Sequence, residues 1–407
     1  MKISYSRVIA FGFMAMGFAI MFSLDIIRPF LVVLISMAVY SLTKFYKRST
    51  LTWRNWILPS YFFICVLSLF HSSTDIRWIE RGWLLLVFPL IIVFYKIESK
   101  VIQTSFYKGI TYGAIAVGGI NLAIATYRSV SFKDGTINFD SSAWGGVPFW
   151  FSIDHYGNFY FSEFFSFFMH PSYQSLLISI AATIIILVNP SKWTSKVQWN
   201  VLVFLIVIIG LLSSRAGIIG LLGSLTIMLI VRWKYLLSKI KVVLVISFIG
   251  IALGLGSNPR VLNLLSNSSY ELENNPRIIA WNSSLSILKD HWLLGVGLDR
   301  VQGYLDNYYA RNGYEEHKNK SYNAHNQFLE SWMGMGVMGL TLLVFSLGYG
   351  GYLAYCQKNI FAIIFLFNII VHFCFESMLN RAHGIIAFVL IYSVIFLHDK
   401  NGPTEGL

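Results

Sequence analysis

Apolar segments close to the length of a membrane span recur from one end of the chain to the other. They constrain the fold more than any other feature, because a helix needs about 20 apolar residues to cross the hydrocarbon core of a bilayer. Only 12% of the 407 residues are charged, which is about half the usual share in soluble domains. The sequence therefore predicts an all-α fold, a polytopic bundle of membrane helices.

The apolar segments predict about 12 transmembrane helices. They lie near residues 8–24, 27–43, 55–71, 82–96, 107–126, 171–189, 198–213, 215–231, 241–257, 334–356, 359–376 and 382–398. The predicted organisation is a single transmembrane helical domain, residues 1–407. Two long polar interruptions, about 127–170 and 258–325, are predicted as large loops on that domain.

Basic residues between the apolar segments indicate how the helices are oriented. Thirteen Lys and Arg residues lie in the short loops of one side, and five lie in the short loops of the other side. Loops rich in Lys and Arg stay in the cytoplasm. Both termini are therefore predicted to be cytoplasmic, and both long loops are predicted to face outward. The first segment lacks a small-residue cleavage site, so we interpret it as a helix and not as a signal peptide.

The distribution of charge and the cysteines argue against a nucleic-acid binder and against a metal site or a disulfide framework. The formal net charge is +12, but the basic residues form short clusters between apolar segments, which is typical of membrane topology and not of a nucleic-acid binder. Cys65, Cys356 and Cys374 are unevenly spaced and form no CxxC motif. The sequence therefore predicts no metal site and no disulfide framework.

Two arginines stand in short outer turns among small or polar residues. These are Arg215 in "SSRAG" and Arg381 in "ESMLNRAHG". An arginine near membrane depth costs several kcal/mol unless it is paired or hydrated, so it indicates a functional site. The alternative is that each side chain reaches the membrane interface. Glu376 is then either part of the site or only a partner of Arg381.

Further polar residues fall on the same predicted face. His170 precedes the sixth segment, and Pro171 suits the first turn of a helix. Arg277 lies in "NPRIIAWNSSLSILKDHWLLGVG", where helical spacing of apolar residues predicts that the second loop is partly helical and lies on the membrane. His325 and Asn326 open the segment "HNQFLESWMGMGVMGL". Each residue alone also fits a polar cap or a headgroup anchor, but their convergence on one face favours a site.

Several arginines, histidines and one carboxylate suit chemistry at a phosphorylated lipid. Guanidinium groups bind phosphate oxygens through two parallel hydrogen bonds, and they can stabilise a diphosphate as it leaves. An imidazole can take a proton from an attacking hydroxyl. These groups together indicate glycosyl transfer from a lipid-diphosphate sugar to an acceptor alcohol, with no cofactor.

Four segments resemble the O-antigen ligase and polymerase superfamily, and they occur in the order expected for it. They are "MHPSYQS", "SSRAGIIG", "NPRIIAWNSSLSILKDHWLLGVG" and "AHNQFLESWMGMGVMGL", and the resemblance covers about residues 165–385. It implies a metal-independent, inverting glycan transfer from undecaprenyl diphosphate at the periplasmic face of the bacterial inner membrane. A large periplasmic loop would help to close the site.

The resemblance also implies roles for individual residues. His325 would be the general base. The residues that would hold the diphosphate are Arg215, Arg277 and Arg381. The resemblance assigns no role to further residues, but His170, Tyr173, Asn326 and Glu376 are expected to support the site as neighbours. The glycines that follow His325, which are Gly334, Gly336 and Gly339, are expected to allow close approach of helices beneath the site.

The acceptor remains open between two alternatives. A ligase would deliver the glycan to lipid A–core oligosaccharide, whereas a polymerase of O-antigen or exopolysaccharide would deliver it to another undecaprenyl-linked glycan. A transporter is the competing class, but the sequence shows no inverted repeat, and the notable charges gather at one surface and not in mid-membrane. The aromatic residues of 139–168 fit either a membrane interface or a groove for glycan.

Overall fold

The computed structural model describes residues 5–45, 51–70, 77–95, 97–143, 157–232 and 275–398. Helices dominate these ranges. The α-helices are α1 (Tyr5–Ala19), α2 (Leu24–Phe45), α3 (Ile57–Phe70), α4 (Arg77–Gly82), α5 (Leu84–Ile91), α6 (Ser99–Ser129), α7 (Ser162–Phe165), α8 (Pro171–Leu187), α9 (Ser195–Leu212), α10 (Arg215–Arg232), α11 (Pro276–His291), α12 (Val301–Arg311), α13 (Glu315–Asn319), α14 (Gln327–Cys356), α15 (Ile360–Phe375) and α16 (Ala382–Tyr392). Shorter helical turns are Trp53–Trp56, Ile92–Phe94, Met378–Asn380 and Ser393–Leu397. Two strands follow α6, and they are β1 (Val130–Lys133) and β2 (Thr136–Phe139).

Within the residues that the structure describes, four helices are long and apolar enough to cross a membrane. They are Leu24–Thr43, Ser99–Ser129, Ser195–Leu212 and Gln327–Cys356. Shorter apolar helices in the described ranges are Tyr5–Ala19, Pro171–Leu187, Arg215–Val231, Ile360–Phe375 and Ala382–Leu397. The helical, membrane-like class predicted from the sequence is therefore confirmed. The number of twelve spans stays a prediction, and the ninth predicted span, 241–257, lies outside the described residues.

Several predicted boundaries differ from the observed ones. The predicted span 334–356 begins seven residues earlier, at Gln327, and the predicted span 107–126 begins at Ser99. Both extensions are more polar than the apolar stretch that defined the prediction. The predicted span 82–96 contains α5 and the turn Ile92–Phe94, and the separate helix α4 ends at its first residue, Gly82. Pro89 lies inside α5, where its missing N–H removes a helical hydrogen bond.

The described residues fall into two compact units. The first unit combines Met1–Lys44 with Tyr95–Lys234, and the second combines Phe45–Phe94 with Tyr235–Leu407. In the first unit, α8 is buried along almost its whole length, from Pro171 to Ile185. It packs against α6, α9 and α10, so α8 is the central helix of this unit.

An antiparallel hairpin interrupts the helical pattern of the first unit. β1 pairs with β2 in the register Val130↔Phe139 and Lys133↔Thr136. Asp134 and Gly135 form the two-residue turn with φ of +53° and +74°, the values that a type I′ turn requires. The predicted outer loop 127–170 therefore contains the end of α6 and a hairpin in its described part.

In the second unit, the predicted outer loop 258–325 is helical over much of its described part, as the sequence predicted. α11 packs against α12 and α14. A hydrophobic cluster fills the space between these helices and includes Ile279, Leu288, Leu305, Tyr309 and Met333. The loop helices are therefore part of the folded core of this unit.

The segment between α11 and α12 docks into a kink of α14 through its backbone. Gly336 has φ +67° and ψ −164° inside the helix, which opens the helical hydrogen-bond pattern. Val337 N–H then donates to the carbonyl of Leu293 at 3.2 Å, and Val296 N–H donates to the carbonyl of Met333 at 2.7 Å. The close approach expected at the glycines is real at Gly336, but its partner is this loop segment and not another helix.

Replacing Gly336 with alanine is expected to destabilise the second unit by at least about 2 kcal/mol. A residue with a side chain is strained at this positive φ, and its Cβ would overlap the Leu293 carbonyl. Thermal unfolding of the purified protein in detergent measures the loss. Gly348→Ala in the same helix is the matched control, since no atom lies within 4 Å of the added Cβ. Equal melting temperatures for the two variants would contradict the proposed constraint.

Candidate functional site

His325 lies directly before α14 in a backbone conformation that is rare for side-chain residues. Its φ is +44°, and its backbone N–H donates to Oδ1 of Asn323 at 2.8 Å. Asn326 then caps the helix, because its Oδ1 accepts the N–H groups of Phe328 and Leu329 at 2.9 and 3.1 Å. These bonds hold His325 at the position directly before the first turn of the helix. Strained backbone conformations of this kind are concentrated at functional sites.

Glu376 follows the last residue of α15 and bridges two of the predicted site residues. Its Oε2 lies 3.5 Å from Nδ1 of His325, and its Oε1 lies 3.4 Å from Nη2 of Arg277. The side chain of Glu376 is 11% exposed, whereas those of His325 and Arg277 are about a quarter exposed. A mostly buried carboxylate thus faces an imidazole on one side and a guanidinium on the other.

Arg277 is held at the first turn of α11. Asn275 caps this helix by accepting the backbone N–H of Arg277 at 3.0 Å, and Pro276 occupies the first helical position. The Arg277 guanidinium lies over the ring of Phe375, 5.5 Å from its centroid. A guanidinium has five N–H donors, and the bond to Glu376 uses one of them. The group can therefore pair with Glu376 and bind an oxyanion at the same time.

A second buried carboxylate ties the turn after α15 to the start of α14. Glu330 accepts Nδ2 of Asn380 at 2.7 Å and Oγ of Ser377 at 3.2 Å. The side-chain oxygen of Gln327 accepts the backbone N–H of Leu379 at 2.6 Å. This turn lies between Glu376 and Arg381, so the bonds set the position of that segment relative to the helix that follows His325.

Arg381 lies at the N-terminal end of α16 and is exposed. Its backbone N–H donates to the carbonyl of Met378 at 3.2 Å. The guanidinium of Arg81, on α4, donates to the carbonyl of Asn380 at 3.4 Å. Two arginines therefore lie near the turn that is bonded to Glu330.

Aromatic residues that the sequence analysis missed support the imidazole. The ring of Tyr322 lies edge-on to His325 with centroids 5.7 Å apart, and the ring of His317 lies edge-on to Tyr322 with centroids 5.1 Å apart. Nε2 of His317 lies 3.2 Å from the carbonyl of Pro276, which connects these rings to the start of α11. Burial raises the pKa of Tyr309, whose ring packs against His317.

The other predicted residues belong to the first unit. His170 caps α8, because its Nδ1 accepts the N–H of Ser172 at 3.3 Å, and its ring lies 5.8 Å from that of Tyr173. Arg215 is the exposed first residue of α10. A Cβ on Gly217 would overlap the side chain of Ser175. Because these two residues lie in the first two turns of α10 and α8, the helix ends that carry Arg215 and His170 lie side by side.

The structure therefore brings together Arg277, His325 and Glu376 in the second unit, and it places Asn326 in a capping role beside them. His170, Tyr173 and Arg215 share one end of the first unit. A meeting of Arg215 with Arg277 and His325 stays a prediction. The arrangement in the second unit combines a proton acceptor, a buried carboxylate behind it and a guanidinium with donors for an oxyanion, which suits acid–base chemistry on an anionic substrate.

Comparison with known proteins finds a family model that matches part of the chain. Residues 200–344 match the family model described as O-Antigen ligase (Wzy_C), which is roughly a third of the chain. The match includes Arg215, Arg277 and His325, and it ends before Glu376. No curated protein matches the chain. Together with the apolar helices of the described residues, the match over residues 200–344 supports a membrane protein of the O-antigen ligase and polymerase superfamily.

Proposed function

We propose that the chain is an O-antigen ligase. It transfers a glycan from an undecaprenyl-diphosphate-linked donor to a hydroxyl of lipid A–core oligosaccharide at the periplasmic face of the inner membrane. Both termini are cytoplasmic in this proposal, and the reaction needs no metal ion and no cofactor. The observation that carries the proposal is the contact of Glu376 with both His325 and Arg277, two residues within the O-antigen ligase match.

His325 is the general base of the reaction. Its Nδ1 faces Glu376, so a proton on Nδ1 is directed toward the carboxylate and Nε2 remains to accept a proton. The separation of 3.5 Å is longer than a good hydrogen bond, and such contacts often shorten when substrate binds. Glu376 is therefore a positioning residue that fixes the tautomer of the imidazole.

The transfer is a single displacement with inversion. Nε2 of His325 takes the proton of the acceptor hydroxyl as its oxygen forms a bond to the anomeric carbon. The bond between that carbon and the diphosphate oxygen breaks, and its electron pair leaves with the diphosphate. Arg277 stabilises the departing oxyanion through N–H donors not used by Glu376.

Arg215 and Arg381 bind the same diphosphate in this proposal. Both are exposed arginines at the N-terminal ends of helices, where the helix dipole also favours an anion. His170, Tyr173 and Asn326 support the site by fixing its helix ends. The capping bonds of His170 and Asn326 support that role.

Reconstitution tests the proposal directly. The purified protein in liposomes receives an undecaprenyl-diphosphate-linked glycan, with either lipid A–core or a second lipid-linked glycan as acceptor. We expect the glycan to become attached to lipid A–core at a rate that a chelator does not change. Chain growth only on the undecaprenyl carrier would identify a polymerase, and loss of transfer with chelator would contradict the metal-independent mechanism. Solute flux without any transfer would indicate a transporter.

A further inference from the structure

The hairpin after α6 has one apolar face that is exposed to solvent. In the observed register Val130 pairs with Phe139, and Phe132 pairs with Ile137. Paired residues of an antiparallel ribbon point to the same face, so these four side chains form one continuous apolar surface. Their exposed fractions are 43%, 60%, 73% and 71% respectively.

The opposite face of the hairpin is polar throughout. It carries Ser131, Lys133, Thr136 and Asn138, and every residue of both strands is exposed. The hairpin is therefore amphipathic across its thickness. This pattern is typical of an element that lies between an apolar and an aqueous phase.

The chain itself places the hairpin at the border of a candidate membrane span. α6 has 19 residues without charge, from Gly109 to Tyr127, and at 1.5 Å per residue this stretch is about 28 Å long. That length matches the ~30 Å hydrocarbon core of a bilayer. Arg128 ends the uncharged stretch, and β1 begins two residues later, at Val130. The hairpin therefore starts where the apolar part of the helix ends.

Side-chain contacts hold the base of the hairpin at the level of the last helical turn. The hydroxyl of Tyr160 donates to Oγ1 of Thr126 at 3.0 Å, and the ring of Tyr160 lies 6.2 Å from that of Phe139. The backbone N–H of Asp140 donates to the carbonyl of Ser129 at 2.7 Å. These contacts keep the apolar face of the hairpin next to the C-terminal end of α6.

We propose that the hairpin is a membrane-interface anchor whose partner is the phospholipid bilayer. Its apolar face lies on the acyl-chain border of the leaflet that surrounds the C-terminal end of α6, and its polar face lies in water. The continuity of the hairpin with the uncharged stretch of α6 selects lipid as the partner. The proposal does not depend on the glycan-transfer reaction.

Fluorescence quenching at two positions of the full-length protein tests the anchor. Phe132→Cys and Asn138→Cys carry the same NBD label in a background where Cys65, Cys356 and Cys374 are alanine. Both proteins are reconstituted in phosphatidylethanolamine and phosphatidylglycerol vesicles. Position 138 is the matched control, because it is also exposed but lies on the opposite face of the same ribbon.

We expect doxyl-labelled phospholipid to quench the label at position 132 severalfold more strongly than the label at position 138. Aqueous iodide should give the reverse order. Equal quenching by iodide at both positions would show that the apolar face lies in water and would overturn the proposal. Shielding of position 132 from both quenchers would also overturn it, since another part of this chain or a second copy would then cover the face.

Discussion

Alanine in place of His325 is expected to reduce the rate of glycan transfer at least about a hundredfold, because general-base catalysis typically contributes 10²–10⁴-fold. The amount of protein inserted in the membrane should not change. The bond from the backbone N–H of residue 325 to Asn323 survives the substitution, and the helix cap belongs to Asn326. The initial rate of transfer in proteoliposomes, normalised to inserted protein, measures the effect.

His291→Ala is the matched control for this variant. His291 is the last residue of α11, 14 residues beyond Arg277, which is about 21 Å along the helix. Its ring packs edge-on against Tyr304 with centroids 5.2 Å apart. We expect normal transfer from the control. A normal rate for His325→Ala would remove the proposed base, whereas a loss in both variants would indicate a general effect on folding.

The residues of the site that can be found from the sequence are those with a local signal. His325 and Asn326 stand together before an apolar helix, and Arg277 follows an Asn-Pro pair at the start of another. The bridging position of Glu376 has no such signal. Its two contacts join residues 51 and 99 positions away in the chain, and only the fold of the second unit brings them together.

Glu330 shows how a local argument can miss a role. It lies five residues after His325 and would therefore point to a different face of a helix. Its partners Ser377 and Asn380 follow 47 and 50 residues later. A carboxylate in the first turn of an apolar helix is costly unless it is paired. The cost therefore indicates that Glu330 has a buried partner, although the sequence does not identify that residue.

The positions of the apolar helices were predictable from hydropathy. Features that depend on backbone geometry were less predictable. Apolar length located the spans that correspond to α8, α9, α10 and α15 to within a few residues. The hairpin was missed, although "VSFKDGTINF" alternates apolar and polar residues around an Asp-Gly turn, which is a strong hairpin signal. The kink at Gly336 was also missed, because a glycine in an apolar helix equally fits close helix packing.

Lysine in place of Arg215 is expected to reduce transfer at least about a hundredfold. An ammonium group keeps the positive charge but cannot form the two parallel hydrogen bonds of a guanidinium to phosphate oxygens. Arg215 is the first residue of α10, and the N-terminal bond from Gly217 N–H to Oγ of Ser214 does not involve its side chain. Membrane insertion should therefore be normal, and the rate of transfer from the lipid-linked donor measures the loss.

Arg28→Lys is the matched control for Arg215→Lys in the same unit. Arg28 lies in α2, and its ion pair with Asp25 at 3.1 Å is exposed on both sides. Such pairs contribute little to stability, so the control should transfer glycan normally. Full activity of Arg215→Lys would show that a single positive charge is sufficient, and it would contradict bidentate binding of the diphosphate at this position.

The double variant of Arg215→Lys and Arg277→Lys tests whether the two predicted diphosphate-binding arginines act on one ligand. If both guanidinium groups hold the same diphosphate, the second substitution acts on a complex already misplaced by the first. The loss in the double variant should then be smaller than the product of the single losses, with a coupling of about 0.5–3 kcal/mol. If the loss of transfer rate in the double variant equalled the product of the two single losses, the arginines would act independently. In that case His325 and Arg277 would still form a site, but Arg215 would not belong to it.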